Sequence, residues 1–309
     1  FIMEVNDYYE EPYAGKPHVR FCEGLNFRLT HKKGEKNEST RQLKSSVIIR
    51  VIVVITYVGM VSVNALANLL PINGINTGQV SDSYPNLFAP AGLTFAIWGL
   101  IYLLLAGYSV YQLGVFQKNK KNIKSNLLNK VGILLSISSI ANMIWIFSWH
   151  YLVIPLSMLL MLVILICLIL IMKLINNEES LTSAEKTFMR MPFSIYFGWI
   201  TVATIANATT LLVSIHWDGF GITEQTWTVL ILIIGVLIGA LTTIKNRDIA
   251  YGLVIIWAYT GILIKHLSKD GFAFQYPSVV NTVVSCIVLL IITLAYVLIK
   301  AKQIKNIAK

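Results

Sequence analysis

Residues 131–172 read VGILLSISSIANMIWIFSWHYLVIPLSMLLMLVILICLILIM, a run of 42 positions with no Asp, Glu, Lys or Arg. One helix of that length, at 1.5 Å per residue, would be about twice as long as the roughly 30 Å of hydrocarbon in a bilayer. The run therefore predicts two helices and a turn, most simply at Trp149-His150-Tyr151 and before Pro155. Outward from it, residues 51–81, 83–117, 191–217, 225–244 and 271–299 are also free of charge. Each can hold the ~20 residues that a membrane-spanning helix needs. Residues 249–264 are shorter and span only if Arg247 and Lys265 extend their charged ends to the interfaces. The reading is an all-α, polytopic membrane helical bundle of eight transmembrane helices.

The charges test that count. If the N-terminus is cytoplasmic, the inside loops carry Lys118, Lys120, Lys121, Lys124 and Lys130, then Lys173, Lys186 and Arg190, then Lys245 and Arg247, then the basic C-terminal tail. With the basic residues from Lys16 to Arg50, 23 of the 25 Lys and Arg fall on one side, and only Lys265 and Lys269 fall on the other. This is the positive-inside bias, and it predicts a multi-pass protein of the cell membrane with both termini cytoplasmic. An odd number of spans would destroy the alternation. The net charge of +10 is then a consequence of topology, so nucleic acid is not an expected partner. Anionic lipid at the basic loops is.

A composition of 56% hydrophobic and 13% charged residues excludes an ordinary soluble domain. Residues 1–46 differ: polar, mixed in charge and without helical periodicity, they read as a disordered cytoplasmic tail. Cys22, Cys167 and Cys286 have no metal or redox spacing, and the latter two read as packed thiols inside helices. No metal site, cofactor or catalytic residue is expected. Ion-coupled pumps and hydrolytic enzymes usually need carboxylates or bases within the membrane, and no Asp, Glu, Lys or Arg falls in the middle of a span. His150, His216 and His266 fall near helix ends and read as interfacial residues.

The polar side chains that do enter the spans are asparagines: Asn64, Asn68, Asn142 and Asn207. A carboxamide is costly against lipid, so each should either hydrogen-bond another helix or line a pocket, and the residues alone leave both readings open. Trp149, Trp217 and Trp227 fall near outer helix ends, where an aromatic belt is expected. Trp98, Trp145, Trp199 and Trp257 fall well inside their spans, where core packing and a flat ligand are the two alternatives.

The stretch Pro90-Ala91-Gly92-Leu93-Thr94-Phe95-Ala96-Ile97-Trp98-Gly99-Leu100-Ile101-Tyr102 resembles the second helix of the TspO/MBR family (tryptophan-rich sensory protein or translocator), with Trp98 and Tyr102 one turn apart. Asn142 and Trp145 are similar to that family's third-helix Asn-x-x-Trp, and Trp199, Ala203 and Asn207, downstream of Pro192, to its fifth-helix pattern. The resemblance covers about residues 47–215, the first five spans, so that residues 216–309 read as three additional helices of a longer, eight-span variant.

The resemblance implies a five-helix bundle with a pocket beneath its first loop for a tetrapyrrole such as protoporphyrin, or in some relatives a sterol. It makes Trp98, Tyr102, Asn142, Trp145, Trp199, Ala203 and Asn207 the expected ligand-binding residues. Residues 71–88, with Gly74, Gly78 and Pro85, become a flexible lid by composition. The expected partners are the lipid bilayer, a hydrophobic small molecule of porphyrin type and a second copy of the chain as a homodimer. The chain departs from the family at Ala96 and Gly92, where Pro and Trp are common, and at Leu211 or Leu212, where an aromatic residue is usual. A receptor or translocator is the leading expectation. A solute permease or membrane subunit of an exporter is one alternative, and a light-dependent porphyrin-degrading enzyme another.

Overall fold

The computed structural model describes residues 46–70, 72–115 and 125–307, and the polar tail therefore lies, up to residue 45, outside the described residues. Among the described residues, eight helices are long and apolar enough to cross a membrane: α1 (Ser46–Leu69), α2 (Gly92–Gln112), α3 (Ser125–His150), α4 (Ile154–Asn176), α5 (Ser183–Ser214), α6 (Glu224–Asn246), α7 (Ile249–Leu267) and α8 (Pro277–Gln303). Residues 49–309 form one compact unit. The eight-span reading holds, including the short span at 249–264.

Local chemistry explains where the helices stop. The long uncharged run breaks at Leu152, which takes a positive φ of 58°, and α4 restarts at Ile154 with Pro155 in its first turn, where a missing N–H costs nothing. Arg247 ends α6 in the left-handed conformation, and Asp248 caps α7 by accepting from the Tyr251 N–H and, across to α5, from the Ser194 hydroxyl. α5 begins earlier than the charge-free window predicts. A Thr182–Glu185 capping box starts it, and a π turn at Lys186–Arg190 widens it just before Pro192, which cannot donate to the ladder.

In packing, α3 and α4 form an antiparallel pair with α5 against α4, and α7 lies against α5 with α6 and α8 behind it. Gly198 sets the α5–α7 distance: a Cβ there would stand 2.9 Å from Val254 Cβ and 3.0 Å from the Tyr251 carbonyl oxygen. Small residues at such crossings let backbones approach where no hydrophobic effect drives association. α1 is held by Asn64, which donates to Asn142 Oδ1 of α3 at 2.6 Å, and by Tyr57, whose hydroxyl donates to the Tyr102 carbonyl of α2 at 2.9 Å.

Among its described residues the first loop has local structure of its own, in place of the featureless lid its composition suggests. It contains a short helix, Thr77–Asp82, whose capping box pairs Asn76 with Gln79. Both flanks of the loop are tied to helix ends. On one side Trp149 Nε1 donates to the Thr77 carbonyl at 3.1 Å, and Asn73 donates to the His150 carbonyl at 3.0 Å. His150 Nδ1 faces the Ile72 carbonyl at 3.1 Å and must donate to it, and Nε2 hydrogen-bonds the Thr77 hydroxyl at 3.2 Å. On the other side the Ala91 N–H reaches the Gly261 carbonyl at 3.0 Å, His266 Nε2 the Leu87 carbonyl at 2.8 Å, and Lys265 the Asp82 carboxylate at 2.7 Å. His150 and His266 are thus fully buried anchors of the loop, not interfacial residues; only His216 is exposed.

Candidate functional site

Three of the first five helices each deliver an aromatic pair to one level of the bundle. On α2, Trp98 and Tyr102 are one turn apart, so their rings stack at 5.6 Å and 21°. On α3 the same spacing stacks Trp145 on Trp149 at 5.5 Å and 20°. On α5, Tyr196 and Trp199 are three residues apart and both meet Trp98 edge-on, at 5.9 and 6.1 Å. Trp98 also meets Trp145 at 6.4 Å, so it is the hub that joins all three helices. Phe95, one turn before it, stands edge-on to Trp199 at 5.9 Å.

Two spaces lie on either side of Trp98 and Phe95. The smaller, about 40 Å³, is lined by Trp145, Trp149, Trp199, Ala203 and Asn207 besides Trp98 and Phe95. The larger, about 420 Å³, lies between α1 and α2 under the loop helix and is lined by Trp98, Tyr102, Asn64, Asn68 and Thr77 among others. A volume of 40 Å³ holds a few waters at most, whereas 420 Å³ falls in the roughly 300–1,000 Å³ range of small-molecule sites. Trp98 and Phe95 are the partition between the two.

The structure therefore brings Trp98, Trp145, Trp199, Ala203 and Asn207 to one cavity and places Tyr102 on the adjoining one with Trp98. Asn142 lines neither: it is completely buried behind the chamber, accepting from Asn64. Trp257, which the sequence groups with the inner indoles, instead lies at the α2–α7 seam and donates to the Thr94 carbonyl at 3.0 Å. Trp149 is the opposite case, a belt residue by position that is 5% exposed and lines the small cavity. Phe95, Tyr196 and Met161 also belong to the site or its wall and carry no flag in the sequence, although the repeated one-turn aromatic spacing on α2 and α3 is a signal that could have linked Trp149 to Trp145.

The polar inventory of the chamber is one-sided. Trp145 Nε1 and Trp199 Nε1 are buried donors without a hydrogen-bond partner, as is Asn207 Nδ2, while Asn207 Oδ1 accepts the Ser157 hydroxyl at 3.2 Å. Leaving a buried donor unmatched costs about 1–3 kcal/mol, so three around one cavity mark a place whose polarity suits an acceptor from outside the chain. Everything else around them is chiefly ring or aliphatic surface.

Comparison with known proteins agrees with the helix-by-helix pattern. The family model described as TSPO-like protein matches residues 50–296, which extends the likeness from the first five spans across all eight. Nothing matches among the curated proteins or the solved structures. With four-fifths of its length matched and eight membrane-length helices built around the aromatic hub, the chain belongs to the TSPO-like family of multi-pass membrane proteins.

Proposed function

We propose that the protein binds a flat hydrophobic ligand of tetrapyrrole type at Trp98, as an intramembrane receptor or translocator rather than an enzyme. The observation that carries this reading is the convergence of rings from α2, α3 and α5 on Trp98, with two indole N–H groups beside it that nothing among the described residues satisfies. The 420 Å³ space admits the body of the ligand against the Trp98–Tyr102 stack. Turning Trp98 aside would join it to the smaller cavity, where Trp145 and Trp199 would donate to acceptor atoms on the ligand's edge. Stacking dominates, and the residues lining the two spaces include no carboxylate and no cation, which suits binding better than acid–base chemistry. The charge pattern favours the loop side outward and both termini in the cytoplasm of a cell-membrane protein.

The test is titration of the purified protein with protoporphyrin, followed by the Soret band and tryptophan emission. A saturable Soret shift with quenching is expected. Replacing Trp199 with 3-benzothienylalanine, which keeps the fused rings and removes only the donor, should weaken binding about 3- to 10-fold, the value of one hydrogen bond. Trp98→Ala should abolish it. Asn142→Ala should alter thermal stability and leave the affinity alone, since Asn142 stands behind the chamber. A chain that gives neither signal at saturating porphyrin, or that binds it unchanged without Trp98, would overturn the reading.

A further inference from the structure

A second cavity, of about 190 Å³, lies at the outer end of α5 and α6, and none of its lining residues belongs to the chamber around Trp98. Its walls include Trp217, Trp227, Phe88 and two carboxylates, Asp218 and Glu224. The two indoles meet at 5.1 Å with their planes inclined by 55°, so they form the two sides of a wedge. Each is fixed from behind. Phe220 packs edge-on to Trp217 at 5.4 Å and 89°, and Trp227 Nε1 donates to the Gly219 carbonyl at 2.8 Å. Gly219 has a φ of +65°, and a Cβ there would come within 3.1 Å of Trp227 Nε1, so this turn needs glycine to hold the ring where it is.

With the Trp227 N–H occupied in the turn, what that indole can offer the cavity is its π face, which carries negative potential. Each carboxylate is positioned by a backbone N–H, Asp218 Oδ1 by Phe220 at 3.0 Å and Glu224 Oε1 by Leu87 at 3.1 Å. Each keeps its other oxygen free of these bonds. Neither takes part in an ion pair among the described residues. The remainder of the wall includes Leu212, Val213, Ile222 and Ile231.

We propose that this cavity binds a small organic ammonium ion, quaternary or N-methylated, with the two indole faces against its methyl groups and the Asp218 and Glu224 carboxylates supplying the opposite charge. Indole is the best side-chain partner for such cations, and the attraction grows as the cation leaves water. A metal ion is the poorer occupant. It would need several oxygens in place of its hydration shell; the neutral ones in the wall, Asn86 Oδ1 and the Thr209 and Thr228 hydroxyls, are already hydrogen-bonded within the chain, and no His, Cys, Asp and Glu grouping suited to a metal occurs among the described residues. The volume is below the roughly 300 Å³ at which drug-sized sites begin, so the cation is small. The same chemistry is carried by free choline-like molecules and by the headgroup of a choline lipid, and the cavity lies at the ends of two membrane-length helices, where the exposed Asp218 and Glu224 leave it open to either.

The experiment uses the full chain in nanodiscs of phosphatidylglycerol, titrated calorimetrically with choline chloride and, separately, with 3,3-dimethylbutan-1-ol, the uncharged molecule of nearly the same shape. Choline should bind saturably at matched ionic strength, and the alcohol about tenfold or more weakly. Asp218→Asn with Glu224→Gln removes the charge but keeps both oxygens that accept the backbone N–H groups, so the protein should melt as before while choline affinity falls about tenfold. Repeating the titration in phosphatidylcholine nanodiscs separates the sources. Unchanged choline binding identifies a free ion, and its loss identifies a lipid headgroup already seated in the cavity. Equal binding of choline and the alcohol, no saturable choline signal in phosphatidylglycerol, or undiminished affinity in the folded double variant would overturn the proposal. Because no residue is shared with the porphyrin site, failure of either proposal leaves the other standing.

Discussion

The tryptophans of the central chamber and those at the rim of the first loop are the same residue put to opposite use. At the rim, Trp149 and Trp257 donate to the carbonyls of Thr77 and Thr94. In the chamber, Trp145 and Trp199 are at least as deeply buried and donate to nothing. A region selected only to be stable would not leave such donors unmatched at about 1–3 kcal/mol each. The rim is therefore the part of the molecule that holds the loop in place, with one ring nitrogen, His266 Nδ1, unmatched, whereas the chamber leaves three donors unmatched around a single cavity. The helices beyond the fifth contribute chiefly to the rim. From α7 come Trp257, Gly261, Lys265 and His266, which hold the loop and the start of α2, and from α6 comes Glu224.

That contrast can be broken most forcibly at Gly261. A Cβ there would lie 2.0 Å from Thr94 Oγ1 and 2.8 Å from Thr94 Cβ, so the clash includes an atom that no side-chain rotation removes. Gly261→Ala should cost about 3 kcal/mol, seen as a large drop in thermal stability in detergent. The chamber should respond in the other direction. Ala203 borders the 40 Å³ cavity, so Ala203→Val has room for its two added methyl groups and should stabilise by roughly 1.5 kcal/mol. The same variant should bind protoporphyrin more weakly, which a melt with and without ligand would reveal. Equal destabilisation by the two substitutions would mean that the chamber is packed like the rim, and the comparison would fail.

How far each region was legible in the sequence follows the same line. The eight helices were readable because a charge-free run of membrane length has few alternatives, and the break at Leu152 was readable because the run of 42 is too long for one span. The rim was not. That Trp149, His150 and His266 lie near helix ends is visible in the sequence, but whether a loop covers them depends on contacts such as His266 to Leu87, 179 residues apart. The chamber was partly legible, through family-like patterns at Trp98, Trp145, Trp199, Ala203 and Asn207. Those patterns could not say which face of α3 turns toward α1, and that face decides that Asn142 meets Asn64 while Trp145, three residues on, meets Trp98.

A matched pair of indole substitutions measures the difference at about 1 kcal/mol. Replacing Trp257 with 3-benzothienylalanine, which keeps the fused rings but has no N–H, removes the bond to the Thr94 carbonyl and should destabilise by that amount. The same replacement at Trp199 removes a donor with no partner and should leave stability unchanged or slightly raised. Chemical denaturation or thermal melting of the two variants side by side gives the sign directly. If both lose stability equally, Trp199 has a partner in the ligand-free protein and the chamber's polarity is already matched.

The smallest effect belongs to the charged contact at the rim. Lys265 and Asp82 meet at 2.7 Å, but the Asp82 side chain is 57% exposed, so solvent weakens the attraction. Exposed pairs contribute about 0.2–1 kcal/mol, and at about 1 M salt, where the screening length shrinks to about 3 Å, they contribute less still. Asp82→Asn should therefore lower stability slightly at low ionic strength and not at all at about 1 M NaCl, while the loss on replacing Trp257 should be the same at both. If instead the Asp82→Asn penalty were large and disappeared with salt, the loop would be held by its ion pair. The buried bonds of Trp149, His150 and His266, which salt cannot reach, and the half-covered one of Trp257 would then be secondary, and the rim would be a switch that ionic strength opens rather than a fixed wall above the chamber.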